Sequence, residues 1–91
     1  MTETNLPMQL NPQYRLQWEE AQDCYVLLYP EGLVRLSGSA SEILKLCGAP
    51  VTEADIINTL QERFPEADSL AADVHEFIVH ARQQSWLVPA G

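Results

Sequence analysis

Basic residues are scarce. The 91-residue chain holds 5 Lys and Arg against 13 Asp and Glu, a formal charge of −8. Proteins that grip a phosphate backbone or an anionic bilayer do so through a surplus of Lys and Arg. This chain has the opposite balance, which excludes nucleic acid and an anionic membrane surface as partners and favours a basic one. Only two cysteines are present, Cys24 and Cys47, and no Cys-x-x-Cys motif, so there is neither a disulfide framework nor a zinc-finger spacing. Four glycines are too few and too scattered for a phosphate-cradling loop. No apolar run approaches the roughly 20 residues that span a bilayer. Residues 1–8 are polar and interrupted by Pro7, which is not a secretory leader. We therefore expect a cytoplasmic protein with reduced thiols.

What remains is one domain's worth of chain. Hydrophobic residues make up 46% of it, enough for a packed core but not for a deep catalytic cleft as well. Residues 1–12, punctuated by Pro7, Asn11 and Pro12, read as an N-terminal tail, and residues 13–91 as a single domain. Tyr14, Leu16 and Trp18 alternate with Arg15, Gln17 and Glu19, the period of a half-buried strand. After the acidic turn at 19–23, residues 24–29 run apolar and aromatic, as a strand near the sheet centre does. Tyr29-Pro30-Glu31-Gly32 has the residue order of a turn, and residues 33–36 make the third strand.

The period then changes to 3.6. Ser39 to Glu42 has capping-box spacing and opens a first helix with Ile43, Leu44 and Cys47 on its apolar face. Thr52 and Asp55 repeat that signal before the stripe Ile56, Ile57, Leu60, Phe64. Asp68 or Ser69 starts a third helix carrying Leu70, Val74, Phe77, Ile78 and Ala81. Trp86, Leu87 and Val88 close the chain as an apolar segment that packs back. Three strands cannot cover themselves, so the helices must pack on one sheet face. The fold class is α+β, winged-helix-like, with a three-stranded antiparallel sheet followed by three helices.

No catalytic constellation emerges. His75 and His80 lie five apart, on different faces of one helix. Neither cysteine has a base beside it in sequence, so both are expected to pack rather than react. Glu19, Glu20 and Asp23 form an acidic hairpin tip, read mainly as charged surface and secondarily as a docking spot for a basic protein. The third strand is more suggestive. It carries one charge, Arg35, and no internal proline to guard its edge. Such an edge accepts an added strand. The residues alone leave its occupant open between an extended peptide and the protein's own tail or a second copy. Other readings are a winged-helix nucleic-acid binder, opposed by the charge and by a third helix with one Arg and no Lys; a small enzyme, opposed by the missing constellation; and a structural dimer.

The stretch Arg15-Leu16-Gln17-Trp18-Glu19-Glu20-Ala21-Gln22-Asp23, followed by Val26-Leu27-Leu28-Tyr29-Pro30-Glu31-Gly32, resembles the protein D family of pyrroloquinoline quinone (PQQ) biosynthesis, PqqD. Ser41, Ile43, Leu44, Ile56, Leu60, Phe64-Pro65, Asp73-Val74, Phe77 and Trp86-Leu87 fit its later pattern, so the resemblance runs from about residue 7 to residue 87. Two departures are visible. Gly48-Ala49 stands where the family usually has Asp-Gly, and Ser85 where it often has Gly. The resemblance implies a RiPP recognition element, a peptide chaperone without a cofactor of its own. It would bind the PQQ precursor peptide as an extra strand and present it to a radical S-adenosylmethionine (SAM) enzyme, which holds the metal clusters. Carried onto this chain, the strand side of the site is Leu33, Val34, Arg35 and Leu36. The helix side is expected at Val74, Ile78 and Arg82, one turn apart. One or both of Arg35 and Arg82 are expected to pair with an acidic side chain of the peptide.

Overall fold

A computed structural model describes residues 6–90. Three strands, β2 (Arg15–Glu19), β3 (Cys24–Tyr29) and β4 (Gly32–Arg35), form an antiparallel sheet in the order β2-β3-β4. The helices α1 (Gly38–Lys45), α2 (Glu53–Arg63) and α3 (Leu70–Gln83) follow, with a 3-10 turn at Leu46–Gly48 after α1. This is the architecture expected from the change of period at residue 37.

The segment expected to be a tail is partly structural. Met8–Leu10 is a strand, β1, paired antiparallel with β5 (Leu87–Pro89), and Met8 is buried in the core cluster. The N–H of Met8 donates to Val51 at 2.8 Å and the N–H of Val51 returns the bond at 2.9 Å, so β1 is held on both sides. Leu6, Met8 and Leu10 alternate around Pro7 and stop before Pro12, too short a pattern to separate a strand from a linker.

The core lies between the sheet and the helices. In β3 the opposed rows Leu16–Leu27–Val34 set the helix-facing side, with Leu27 fully buried. Leu36, Ile43, Leu44, Ile56, Leu60, Val74, Ile78 and Ala81 complete the cluster. Cys47 sits inside it, donating its thiol to the Ile43 carbonyl, and burial pushes that thiol up to about 12.

The helix ends show why each helix starts and stops. Thr52 and Asp55 form the expected reciprocal capping box at α2. At α1 the cap is Ser37, not Ser39: its Oγ accepts from the Ala40 N–H at 3.2 Å, while Glu42 turns to Lys45 and Arg63. The chain leaves the sheet at Leu36, so the helix begins two residues earlier than the sequence spacing suggested. Ser69 precedes α3, but its hydroxyl donates to Asp73 instead of capping a backbone group. The end of α3 is a Schellman motif: Trp86 N–H bonds the Ala81 carbonyl, Ser85 N–H bonds that of Arg82, and Ser85 has φ 64. A left-handed residue there explains why glycine suits this position. Ala49 has φ −132 and makes no such demand.

Candidate peptide-binding site

The open edge of β4 can be read from its bonding. Leu36 N–H donates to Tyr25 C=O at 3.0 Å, and Val34 lies opposite Leu27. Backbone groups alternate sides along a strand. Val34 and Leu36 therefore spend their N–H groups on β3, and Leu33 and Arg35 aim theirs outward. Side chains alternate too. Val34 and Leu36 face the helices, whereas Leu33, 44% exposed, and Arg35 lie on the far face with Leu28 and Val26.

Where β4 ends, a cavity of about 600 Å³ opens between α1, the end of α2 and α3. Ser37, Gly38 and Ser39 form its mouth, Ile43 and Leu60 its floor, and Phe64, Leu70, Val74 and Phe77 its apolar walls. Phe64, just past α2, is 47% exposed. Along α3 the same flank continues past Phe77 to Trp86, whose ring lies 6.3 Å from Phe77 and 5.2 Å from His80. At the far end Tyr14 stacks 5.6 Å from Tyr29 and points its hydroxyl at the Gln84 carbonyl, 3.5 Å away. The helix thus passes the sheet from the exit of β4 to the β3–β4 turn.

The expected helix-side residues are placed differently. Val74 and Ile78 are only 1% and 2% exposed, so they pack in the core, and of the two only Val74 contributes to the cavity wall. Arg82 does not join them on a common flank. Four-residue steps drift by about 40° each, and five residues place Arg82 about 140° around the helix from Phe77. It lines a small recess with Leu6, Pro7, Met8 and Pro89, on the β1–β5 side. The flank that faces the cavity is Leu70, Asp73 and Phe77. Sequence reading had put Leu70 and Phe77 into the core stripe. The signal that separates them is angular: residues 70, 73 and 77 sit on one side of the 74/78/81 seam.

Charge around the cavity is mostly committed. Glu42 is held by Lys45 at 3.0 Å and Arg63 at 2.8 Å, and that hydrogen bond raises the Lys45 ammonium above its ordinary value. Arg35 forms no ion pair among the described residues. No described group of three or more His, Cys, Asp or Glu is placed to hold a metal ion. Among the described residues no helix is long and apolar enough to cross a membrane.

An unguarded sheet edge beside an apolar, helix-walled cavity defines a winged-helix-like recognition domain. The chain belongs to the PqqD family: the family model described as Coenzyme PQQ synthesis protein D (PqqD) matches residues 24–87. Among curated relatives, the PqqA binding protein of Azotobacter vinelandii (strain DJ / ATCC BAA-1303) is 48% identical over 89 residues, covering 96% of this chain and 97% of the relative. The PqqA binding protein of Acinetobacter baylyi (strain ATCC 33305 / BD413 / ADP1) is 49% identical over 77 residues, covering 85% and 78%. A solved structure is also similar, the solution NMR structure of the PqqD truncation of Methylobacterium extorquens PqqCD, described as a functional, stand-alone RiPP recognition element. It has a TM-score of 0.73 and 27% identity, covering 90% of this chain and 88% of that one.

Proposed function

We propose that this protein is a peptide-binding component of PQQ biosynthesis that takes up the PqqA precursor as a strand added to β4. The relatives named PqqA binding protein support the ligand. The observation that carries the mode is the outward aim of the Leu33 and Arg35 peptide groups on a strand that leads, through Leu36, into the cavity lining at Ser37. Main-chain bonds along such an edge supply affinity, and pockets for alternate side chains supply selectivity.

The geometry also sets the pattern of the ligand. A residue bonded opposite Arg35 points its side chain to the outer face beside the guanidinium, so an acidic residue suits it. Its two neighbours point the other way, toward the helices, so apolar side chains suit them. The protein itself performs no chemistry in this reading. It presents the bound peptide to a radical SAM enzyme. We place it in the cytoplasm, in keeping with its two free thiols. A second copy paired along β4 would compete with the peptide, so a homodimer of that kind is a resting form.

The test is a titration of isotope-labelled protein with precursor peptide, following backbone amide signals. Shifts gathered at residues 33–37 and at Asp73 and Phe77 are expected. Shifts gathered elsewhere, or a silent titration, overturn the reading.

A further inference from the structure

Among the described residues, five large hydrophobic side chains are exposed: Leu6, Trp18, Leu33, Phe64 and Val79. Four have a neighbourhood that accounts for them. Leu33 and Phe64 border the peptide site, Leu6 lies in the recess beside Met8 and Pro89, and Val79 lies along the outer side of α3. Trp18 has none. It stands on β2, the sheet edge opposite β4, and is 46% exposed.

Its position is nevertheless fixed. The indole meets Tyr25 edge-on at 5.2 Å and 70°, and the Tyr25 ring is covered by the Lys45 ammonium at 4.8 Å. Lys45 is held in turn by Glu42. The β2–β3 turn beside Trp18 is also rigid, closed by Gln22 N–H to Glu19 C=O and Asp23 N–H to Glu20 C=O. That turn carries Glu19, Glu20 and Asp23 in the residues that follow Trp18 along the chain, and none of them forms an ion pair among the described residues. No Lys or Arg occurs between Arg15 and Arg35 to neutralise them.

A pre-positioned tryptophan leading into a turn of unpaired carboxylates has the make-up of an interface anchor: one desolvated aromatic supplies most of the affinity, and the charged rim selects the partner. We propose that the Trp18 face docks a basic surface, Lys and Arg around an apolar notch, on the enzyme that receives the peptide. This rests on the peptide-presenting reading and adds to it a second surface. A carrier must hold its cargo and its enzyme together, and Trp18 leaves the β4 edge free for the cargo.

The experiment measures two affinities for each variant by calorimetry, one for precursor peptide and one for the purified radical SAM enzyme of the pathway. Trp18→Ala is expected to weaken the enzyme complex at least tenfold and to leave peptide affinity within twofold. The paired change Glu20→Lys with Asp23→Asn, which touches only exposed side chains and keeps a residue that tolerates the left-handed φ of 53 at position 23, is expected to do the same more mildly and to flatten the salt dependence. Circular dichroism confirms that both variants are folded. Enzyme affinity unchanged in either folded variant, no enzyme complex with the parent protein, or a self-association that Trp18→Ala abolishes each overturns the proposal. Loss of peptide binding by the parent protein is a separate result and counts against the peptide reading alone.

Discussion

The two sheets of this protein treat their edges in opposite ways. The β1–β5 ribbon is closed: Val51 bonds β1 from outside, and Pro89 withholds an N–H from the edge of β5. The edge of β4 is open, with no proline, one charge, and two residues whose peptide groups face away from β3. Open edges invite aggregation, and one placed beside an apolar cavity needs a reason to exist. The outer edge of β2 is open as well, but it carries Arg15 and Glu19 at its ends and borders no described cavity. Among the described residues, the β4 edge is the one that runs directly into a cavity lining, at Ser37, and the proposed peptide site rests on that continuity.

Proline substitution separates used from unused N–H groups most sharply. Val34→Pro removes a bond to β3 and is expected to cost about 3 kcal/mol or more of stability, enough to unfold much of the population near physiological temperature. Leu33→Pro removes an N–H that faces outward, so its stability is expected to stay within about 1 kcal/mol of the parent. The same variant should bind precursor peptide at least tenfold more weakly. Denaturant melts and calorimetry on the pair check this. A Leu33→Pro protein that binds peptide normally would leave strand addition at β4 without support.

The closed ribbon predicts the reverse pattern. Met8→Ala empties a buried position between β1, Val51 and the helices and is expected to lower stability by about 2–3 kcal/mol. Peptide affinity of the folded fraction should not change, because the ribbon lies on the Arg82 side of α3, away from Phe77. If the Met8→Ala protein loses peptide affinity while keeping its stability, the ribbon belongs to the site and the contrast between the two sheets fails.

The main architecture was legible because the hydrophobic period changes once, from two to 3.6, and because strong turn and cap residues mark the joints. Tyr29 to Gly32 and Thr52 to Asp55 are such joints. The ribbon was not legible: its strands are three residues each and meet from opposite ends of the chain, so no local pattern announces them. The candidate site was less legible than the fold. Missing guards direct attention to the β4 edge, expected at Leu33, Val34, Arg35 and Leu36 together, and only the pairing register separates the outward N–H groups of Leu33 and Arg35 from those of Val34 and Leu36. A helix stripe wider than one seam does not say which of its members is core and which lines a cavity. Val74, Ile78, Phe77 and Leu70 all fall in one broad stripe; the angular offset of Leu70 and Phe77 from the 74/78/81 seam turns them toward α1 and Phe64, while Val74 serves both core and cavity wall.

The smallest expected effect is also the one that tests the corrected site most directly. Arg35 stands on the outer face at the last position of β4, with its peptide group at the open edge. Arg82 stands on the other flank of α3, in the recess with Met8 and Pro89. An exposed ion pair contributes up to about 1 kcal/mol. Arg35→Glu replaces attraction with repulsion toward an acidic peptide residue, so a three- to tenfold loss of affinity is expected, shrinking as salt is raised. Arg82→Glu is expected to leave peptide affinity unchanged within twofold and to report instead on stability through its contacts near the ribbon. Both are read by calorimetry at two ionic strengths. Equal losses in the two variants would mean that the peptide reaches around α3 to the ribbon side, and the division of the molecule into an open and a closed region would have to be redrawn.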